Sequence, residues 1–384
     1  MFVRWENLTI EAAEGTPLPG YRDPATVRTF DAPEALRTRF YEVRSKSALN
    51  RVPERSAMPF RWTVNPYRGC THGCTFCFAR PTHTYLGFNA AEDFDHEIVV
   101  KTNVPEVLRA ELGRPSWKRE HVALGTNTDP YQWVESKYRL MPGIWEALRD
   151  SRTPCSVLTK SPLLLRDLEL FKEIAAVTTF MASLSIPTME PKAWRATEPH
   201  TPHPRARMEA VAELNRSGIP TSVLIAPLMP GINDDPRQVE AILALAAEAG
   251  ATNVGGIALH LRGEVRGVFL DWLRSSRPDL VPLYEELYAR GAYAPEAERV
   301  RLSRLITRGR LEHPGSFEGL DLFRSRNADG SLRPESERAV RFGDRSSRGR
   351  PAHPARQPPP APGPGPAAAE REPPRVPPIQ GVLF

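Results

Sequence analysis

The chain has 384 residues, 40% of them hydrophobic and 25% charged, with a formal net charge of +5, the composition of a soluble globular protein. No run approaches the roughly 18 apolar residues of a membrane span, the start MFVRWENLTIEAAEG lacks the layout of a secretory signal, and four cysteines are too few for a disulfide scaffold. A cytoplasmic location is therefore expected, and the mild basic bias permits a nucleic-acid partner without requiring one.

Residues 1–60 show no sustained period and read as an irregular N-terminal extension. From there short β-branched runs alternate with helical patterns. The strand-like runs are TVNPYRG (63–69), EIVVKT (97–102), HVALGT (121–126), CSVLTK (155–160), TTFMASLSI (178–186), TSVLIAPL (221–228) and NVGGIALHL (253–261). Between them PEVLRAEL, MPGIWEALRDS, LLLRDLELFKEIA, PRARMEAVAELNRSG and DPRQVEAILALAAEAG repeat apolar residues at helical spacing, several closed by Gly. This alternation predicts an α/β fold of parallel units, barrel-like, over residues 61–313 with helices at its C-terminal end. A polar irregular segment (314–349) follows. The Pro/Ala/Gly-rich tail (350–384) holds much of the excess of 40 prolines; it cannot bury enough apolar surface to offset its ordering entropy and is expected to be disordered.

In parallel β/α folds chemistry gathers at the C-terminal ends of strands. There lie the loop after Gly69, the run Thr126-Asn127-Thr128-Asp129, Lys160-Ser161, Ser185, and His260-Leu261-Arg262. The first carries Cys70, Cys74 and Cys77 in the spacing C-x3-C-x2-C, which brings three thiolates to one centre. Thiolates suit zinc, copper(I) or iron–sulfur. A structural zinc wants four ligands, usually as two separated pairs, and no second C-x2-C exists, although His72 lies in the loop. Three cysteines on a [4Fe–4S] cubane leave one iron open, which favours a working cluster with zinc as its rival.

The loop with its aromatic Phe76 resembles the radical-SAM signature. The wider run NPYRGCTHGCTFCFARPTHTYLGF, with GTNTDPYQWVE, TKSPLLLRDLELF, SLSI, EPHTPHPRARMEAV, GIPTSVLIAPLMPGIND and LHLR, resembles the spore photoproduct lyase-related members over residues 45–310. Within them it is most similar to an actinobacterial-type branch that opens with NPYRGC. The resemblance implies a partial (β/α)6 TIM-type barrel, a [4Fe–4S] cluster held by Cys70, Cys74 and Cys77, and S-adenosylmethionine on the open iron. It also implies an electron donor of flavodoxin or ferredoxin type, and a 5′-deoxyadenosyl radical that abstracts hydrogen from a substrate the sequence does not name. By the same resemblance Phe76 stands near the adenine, and Lys160 and Ser185 near the methionyl carboxylate or ribose. Thr128 and Asp129 occupy the segment facing the amino group, with Asp129 as its partner.

One departure is informative. The lyase has an additional hydrogen-donating cysteine near its second loop, whereas GTNTDPYQWVESKY contains none. The spare Cys155 reads as a buried core thiol. Photoproduct repair by the lyase's own route is thus in doubt, while nucleic-acid repair or modification remains an alternative activity, and a non-catalytic cluster- or zinc-bearing interaction protein is a third reading.

Weaker features have ordinary explanations beside functional ones. His72, Arg80 and His83 could tune a cluster or stabilise the loop. Tyr67, Tyr131 and Trp133 could line the mouth or simply pack, and His200 and His203 sit in too loose a setting for a metal. Arg301, Arg304 and Arg308 form a basic stripe that suits phosphates or a solvated helix face. The terminal Gln380-Gly381-Val382-Leu383-Phe384 resembles peptides that dock on the DNA sliding clamp.

Overall fold

A computed structural model describes residues 10–30, 37–53, 56, 58–313 and 315–317. The chain lays down β1 (Ile10–Thr16), β2 (Ala25–Phe30), β3 (Arg39–Val43), β4 (Leu49–Arg51), β5 (Trp62–Val64) and β6 (Tyr67–Arg68), then, past the cysteine loop, α1 (Glu92–His96) and β7 (Glu97–Lys101). Alternation follows: α2 (Val104–Leu112), β8 (Val122–Leu124), α3 (Glu135–Tyr138), α4 (Leu140–Asp150), β9 (Cys155–Thr159), α5 (Leu168–Val177) and β10 (Phe180–Ser185). The last elements are α6 (Pro191–Thr197), α7 (Pro204–Arg216), β11 (Thr221–Leu228), α8 (Pro236–Glu248), β12 (Val254–Ala258), α9 (Val265–Ser276), α10 (Val281–Leu287) and α11 (Glu296–Leu311).

Six strands, β5, β8, β9, β10, β11 and β12, pair in that order and all in parallel, with β4 antiparallel at the edge. This is the expected α/β architecture of a partial (β/α)6 barrel; the end strands β4 and β12 do not pair with each other. Strand residues alternate faces. Val122, Leu124, Cys155, Val157, Ala182, Leu184, Val223 and Ile225 join the main core with Trp145 and Phe171 of the surrounding helices. On the opposite face Ser183 Oγ and Ser222 Oγ share a hydrogen bond of 2.6 Å.

Two expectations are corrected. The run 97–102 is a strand but not one of the barrel: β7 pairs in parallel with β3 and antiparallel with β6, in a second sheet ordered β1, β2, β3, β7, β6. Cross-strand chemistry fixes that register. Buried Glu97 takes bonds from Arg39 Nε at 3.0 Å and Tyr41 Oη at 2.8 Å, and so pins β7 to β3. The segment read as irregular supplies β1 to β4, paired by backbone ladders, and the burial of β2 to β4 does not alternate cleanly. The run 63–69 likewise divides, β5 entering the barrel and β6 the second sheet.

No helix among the described residues is long and apolar enough to cross a membrane. Nearly all of the segment 314–349, and the whole tail 350–384 with its clamp-like tip, lie outside the described residues.

Candidate active site

The cysteine loop leaves the second sheet at β6 and returns to it at β7. Gly69 has a φ of +78°, and a Cβ there would meet Ile98 and the carbonyl oxygens of Phe94 and Glu97 within about 3 Å. The Cys70 N–H then bonds to Phe94 O at 2.9 Å. Cys70 and Cys74 are buried and Cys77 is half-buried. Burial raises all three thiols; Asp129 and the other two cysteines push Cys70 further up, whereas Arg80 draws Cys77 back. Neutral thiols in a dry loop are what a metal centre converts to thiolate ligands.

Arg80 stabilises the loop through its backbone. Its guanidinium, 2% exposed, bonds to the carbonyls of Cys74, Ala90 and Ala91, pairs with Asp95 at 3.0 Å, and lies over the Phe94 ring. His83 is buried against Phe88 and Phe94, and burial pulls it down to about 4.

The loop after β8 meets the cysteine loop from the barrel side. Gly125 turns the chain with a φ of +77°, where a Cβ would stand 1.8 Å from Leu158 O. Thr128 Oγ1 donates to Tyr67 O at 2.8 Å. Gln132, fully buried, accepts from the Thr71 N–H at 3.0 Å and donates to Gly69 O at 3.3 Å, clamping the two loops together. Asp129 accepts from Thr159 Oγ1 (2.6 Å), Tyr131 N (2.9 Å) and Lys160 N (2.7 Å), and His72 Nδ1 stands 3.4 Å away. Burial alone would raise Asp129, but His72 and these donors bring it below the ordinary carboxylate range. Its lone pairs are therefore engaged in ordering the loop. By contrast, Thr126 Oγ1 and Asn127 Oδ1 are buried without a hydrogen-bond partner among the described residues.

Lys160 and Ser185, from the ends of β9 and β10, are in contact: Lys160 Nζ donates to Ser185 Oγ at 2.8 Å and lies 5.5 Å from the centre of the Phe76 ring. The sequence reading missed the group behind them. Glu198, fully buried, sits 2.5 Å from Lys160 Nζ and 3.1 Å from Arg207, which is also fully buried. The Thr75 N–H bonds to Thr197 O and the His200 N–H to His72 O, so this segment abuts the cysteine loop. EPHTPHPR offers no local periodicity that would expose such a role.

Other candidates disperse. Tyr67 and Tyr131 are buried and donate to Glu135 and Asp167 at 2.5 and 2.7 Å, and Trp133 packs edge-on to Phe40. His203 caps α7. Arg301 is paired with Glu298 and Asp234, and Arg308 with Glu312, so the basic stripe is largely neutralised. His260 lies between Phe78 and Tyr293, with Arg262 over the Tyr293 ring.

Six parallel strands, with three free cysteines on the loop between β6 and β7, define a partial α/β barrel with a cysteine loop beside it. The Radical SAM superfamily model matches residues 64–255, and the chain belongs to that superfamily. It is a radical-SAM enzyme, and its cofactors are those of the family, a [4Fe–4S] cluster and S-adenosylmethionine. An uncharacterized protein of Mycobacterium tuberculosis is 48% identical over 318 residues, 80% of this chain and 93% of the relative. One of Methanocaldococcus jannaschii is 28% identical over 178 residues, 45% and 62% of the two chains. Among solved structures, spore photoproduct lyase complexed with dinucleoside spore photoproduct shares the fold, with a TM-score of 0.54 at 14% identity over 72% of this chain and 80% of that one. A variant of that lyase with bound AdoMet and dinucleoside spore photoproduct has a TM-score of 0.52 at 12% identity, covering 71% and 79%.

Proposed function

We propose that Cys70, Cys74 and Cys77 hold the cluster with one iron open to S-adenosylmethionine, and that the mouth around them aims hydrogen abstraction at a substrate. The observation that carries this reading is three free thiols on one loop, with Lys160, bonded to Ser185, close enough to act on Cys74. The unpartnered Thr126 and Asn127 atoms fit a bound polar group, here the cofactor's amino end. Asp129, expected as the amine's partner, and Thr128 serve in this reading to shape the loop that presents those atoms. Phe76 offers its ring to the adenine. A cubane takes each thiolate on a different iron, so its ligands need not converge on one point as zinc requires. Among the described residues no three of His, Cys, Asp and Glu converge in that way.

When bound, the cluster and S-adenosylmethionine supply one-electron cleavage of the cofactor and, from it, hydrogen-atom abstraction. The chain's own residues exclude water, hold the loop rigid through Arg80 and Gln132, and place the charge of Lys160 at the mouth. A one-electron donor is required, and free buried thiols suit a reducing cytoplasm.

Anaerobic reconstitution with iron and sulfide, followed by reduction and addition of S-adenosylmethionine, should yield 5′-deoxyadenosine. An intact cluster without that product would overturn the reading. A second reading, action on nucleic acid, is supported by the fold shared with the lyase and by the net charge of +5. It expects salt-sensitive binding of DNA or RNA, and salt-independent or absent binding removes it.

A further inference from the structure

We infer that Glu198 is a positioning residue: it fixes the Lys160 ammonium at the mouth and sets the net charge beside the cluster loop. The inference rests on the reading that Lys160 meets the carboxylate of S-adenosylmethionine.

Arg207 supplies a rigid base. With its side chain fully buried, it donates from Nε to Pro202 O at 2.9 Å, from Nη1 to Ser185 O at 2.9 Å and Glu198 Oε2 at 3.1 Å, and from Nη2 to Thr201 Oγ1. Glu198 is thereby held on one oxygen and presents the other to Lys160 at 2.5 Å. The Lys160 ammonium donates one hydrogen bond, to Ser185 Oγ, and is held beside Glu198 Oε1 as a close ion pair. Its side chain keeps 15% exposure, whereas those of Glu198 and Arg207 have none. The partly exposed ammonium keeps donors beyond the one given to Ser185, and these are available to a ligand.

Charge makes the same point. Two cations and one carboxylate leave this buried group with one positive charge, which complements a single anionic carboxylate. Without the Glu198 charge two cations would face each other in a dry site, and the flexible lysine, unlike the locked arginine, would swing away. A merely structural Glu198 would tie the segment before α7 to the barrel without setting either the aim of Lys160 or the electrostatics of the loop.

The test uses the full-length chain, reconstituted anaerobically, with S-adenosylmethionine affinity read from its effect on the spectrum of the reduced cluster and the midpoint potential from a redox titration. Glu198→Gln should weaken binding about tenfold or more and move the potential upward. Lys160→Met, which leaves Glu198 paired with Arg207, should weaken binding similarly and move the potential downward. Glu198→Asp should largely restore both, and the Glu198→Gln, Lys160→Met double variant should bind no worse than Lys160→Met alone. Binding within twofold of wild type with an unchanged potential overturns the inference, as do fully additive losses in the double variant. If Glu198→Gln does not fold, Lys160→Met decides alone by the same two readouts. A wild-type chain that holds the cluster but has no affinity for S-adenosylmethionine sinks the reading of the mouth, and the inference with it; a wild type that binds and cleaves it beside unaffected variants sinks only the inference.

Discussion

The Arg80 guanidinium grips the carbonyl oxygen of Cys74 with two donors, Nε at 3.1 Å and Nη2 at 3.0 Å, so a buried cation holds the middle of the cysteine loop by its backbone. Arg80→Met leaves Asp95 without its partner and frees that carbonyl. We expect a loss of about 2–4 kcal/mol in stability and reduced iron per chain after reconstitution. Denaturation midpoints and iron content measure the two effects, and full iron uptake at unchanged stability would contradict the assignment.

Gly125→Ala tests the turn that carries the second loop. The added methyl would overlap Leu158 O in a left-handed conformation, so the turn must rearrange at a cost of about 3 kcal/mol or more. Thermal denaturation should show a clear fall in Tm, and a variant as stable as wild type would contradict the turn geometry.

Cys155 is fully buried in the core, and burial holds its thiol well above the ordinary range. Cys155→Ala should therefore lower stability by about 1–2 kcal/mol while the rate of S-adenosylmethionine cleavage stays within about twofold. Cleavage lost in a folded, cluster-bearing variant would give this thiol a chemical role after all.

Lys101 donates to Asn65 O at 2.9 Å, and burial, followed by Arg68, lowers its pKa from 10.5 to about 7. Between about 7 and 10.5 the unfolded chain holds a proton that the folded chain lacks. Stability therefore rises with pH through that window, and the cost of the buried charge is fully present below it. Lys101→Met should gain about 1 kcal/mol at pH 6 and flatten the slope between pH 7 and 10 in urea denaturation. A loss of stability at pH 6 or an unaltered slope would count against this.

The barrel was legible because its strands and helices each bury one face, and that burial imposes a period. The β8 to β12 runs and the α4, α7 and α8 patterns fall where their periodicity places them. Periodicity does not say which sheet a strand joins. β7 reads as a buried strand anywhere; its ladders to β3 and β6, with Glu97 bonded to Arg39 and Tyr41, place it in the second sheet. The cysteines were legible because their spacing is itself the chemistry. Gln132 and Glu198 were not, since each draws its meaning from partners 61 and 38 residues distant. Asp129 was visible as a polar residue at a strand end, yet its carboxylate ties Tyr131 N of its own loop to Lys160 N after β9.

The cysteine loop departs from β6 and returns to β7, neighbours in one sheet. Every strand of that sheet is made by residue 101, before the second strand of the barrel begins at Val122. During synthesis the two anchor points of the loop can therefore be joined while most of the barrel is still unmade. The order of the chain separates gripping the cysteine loop from building the chamber beside it.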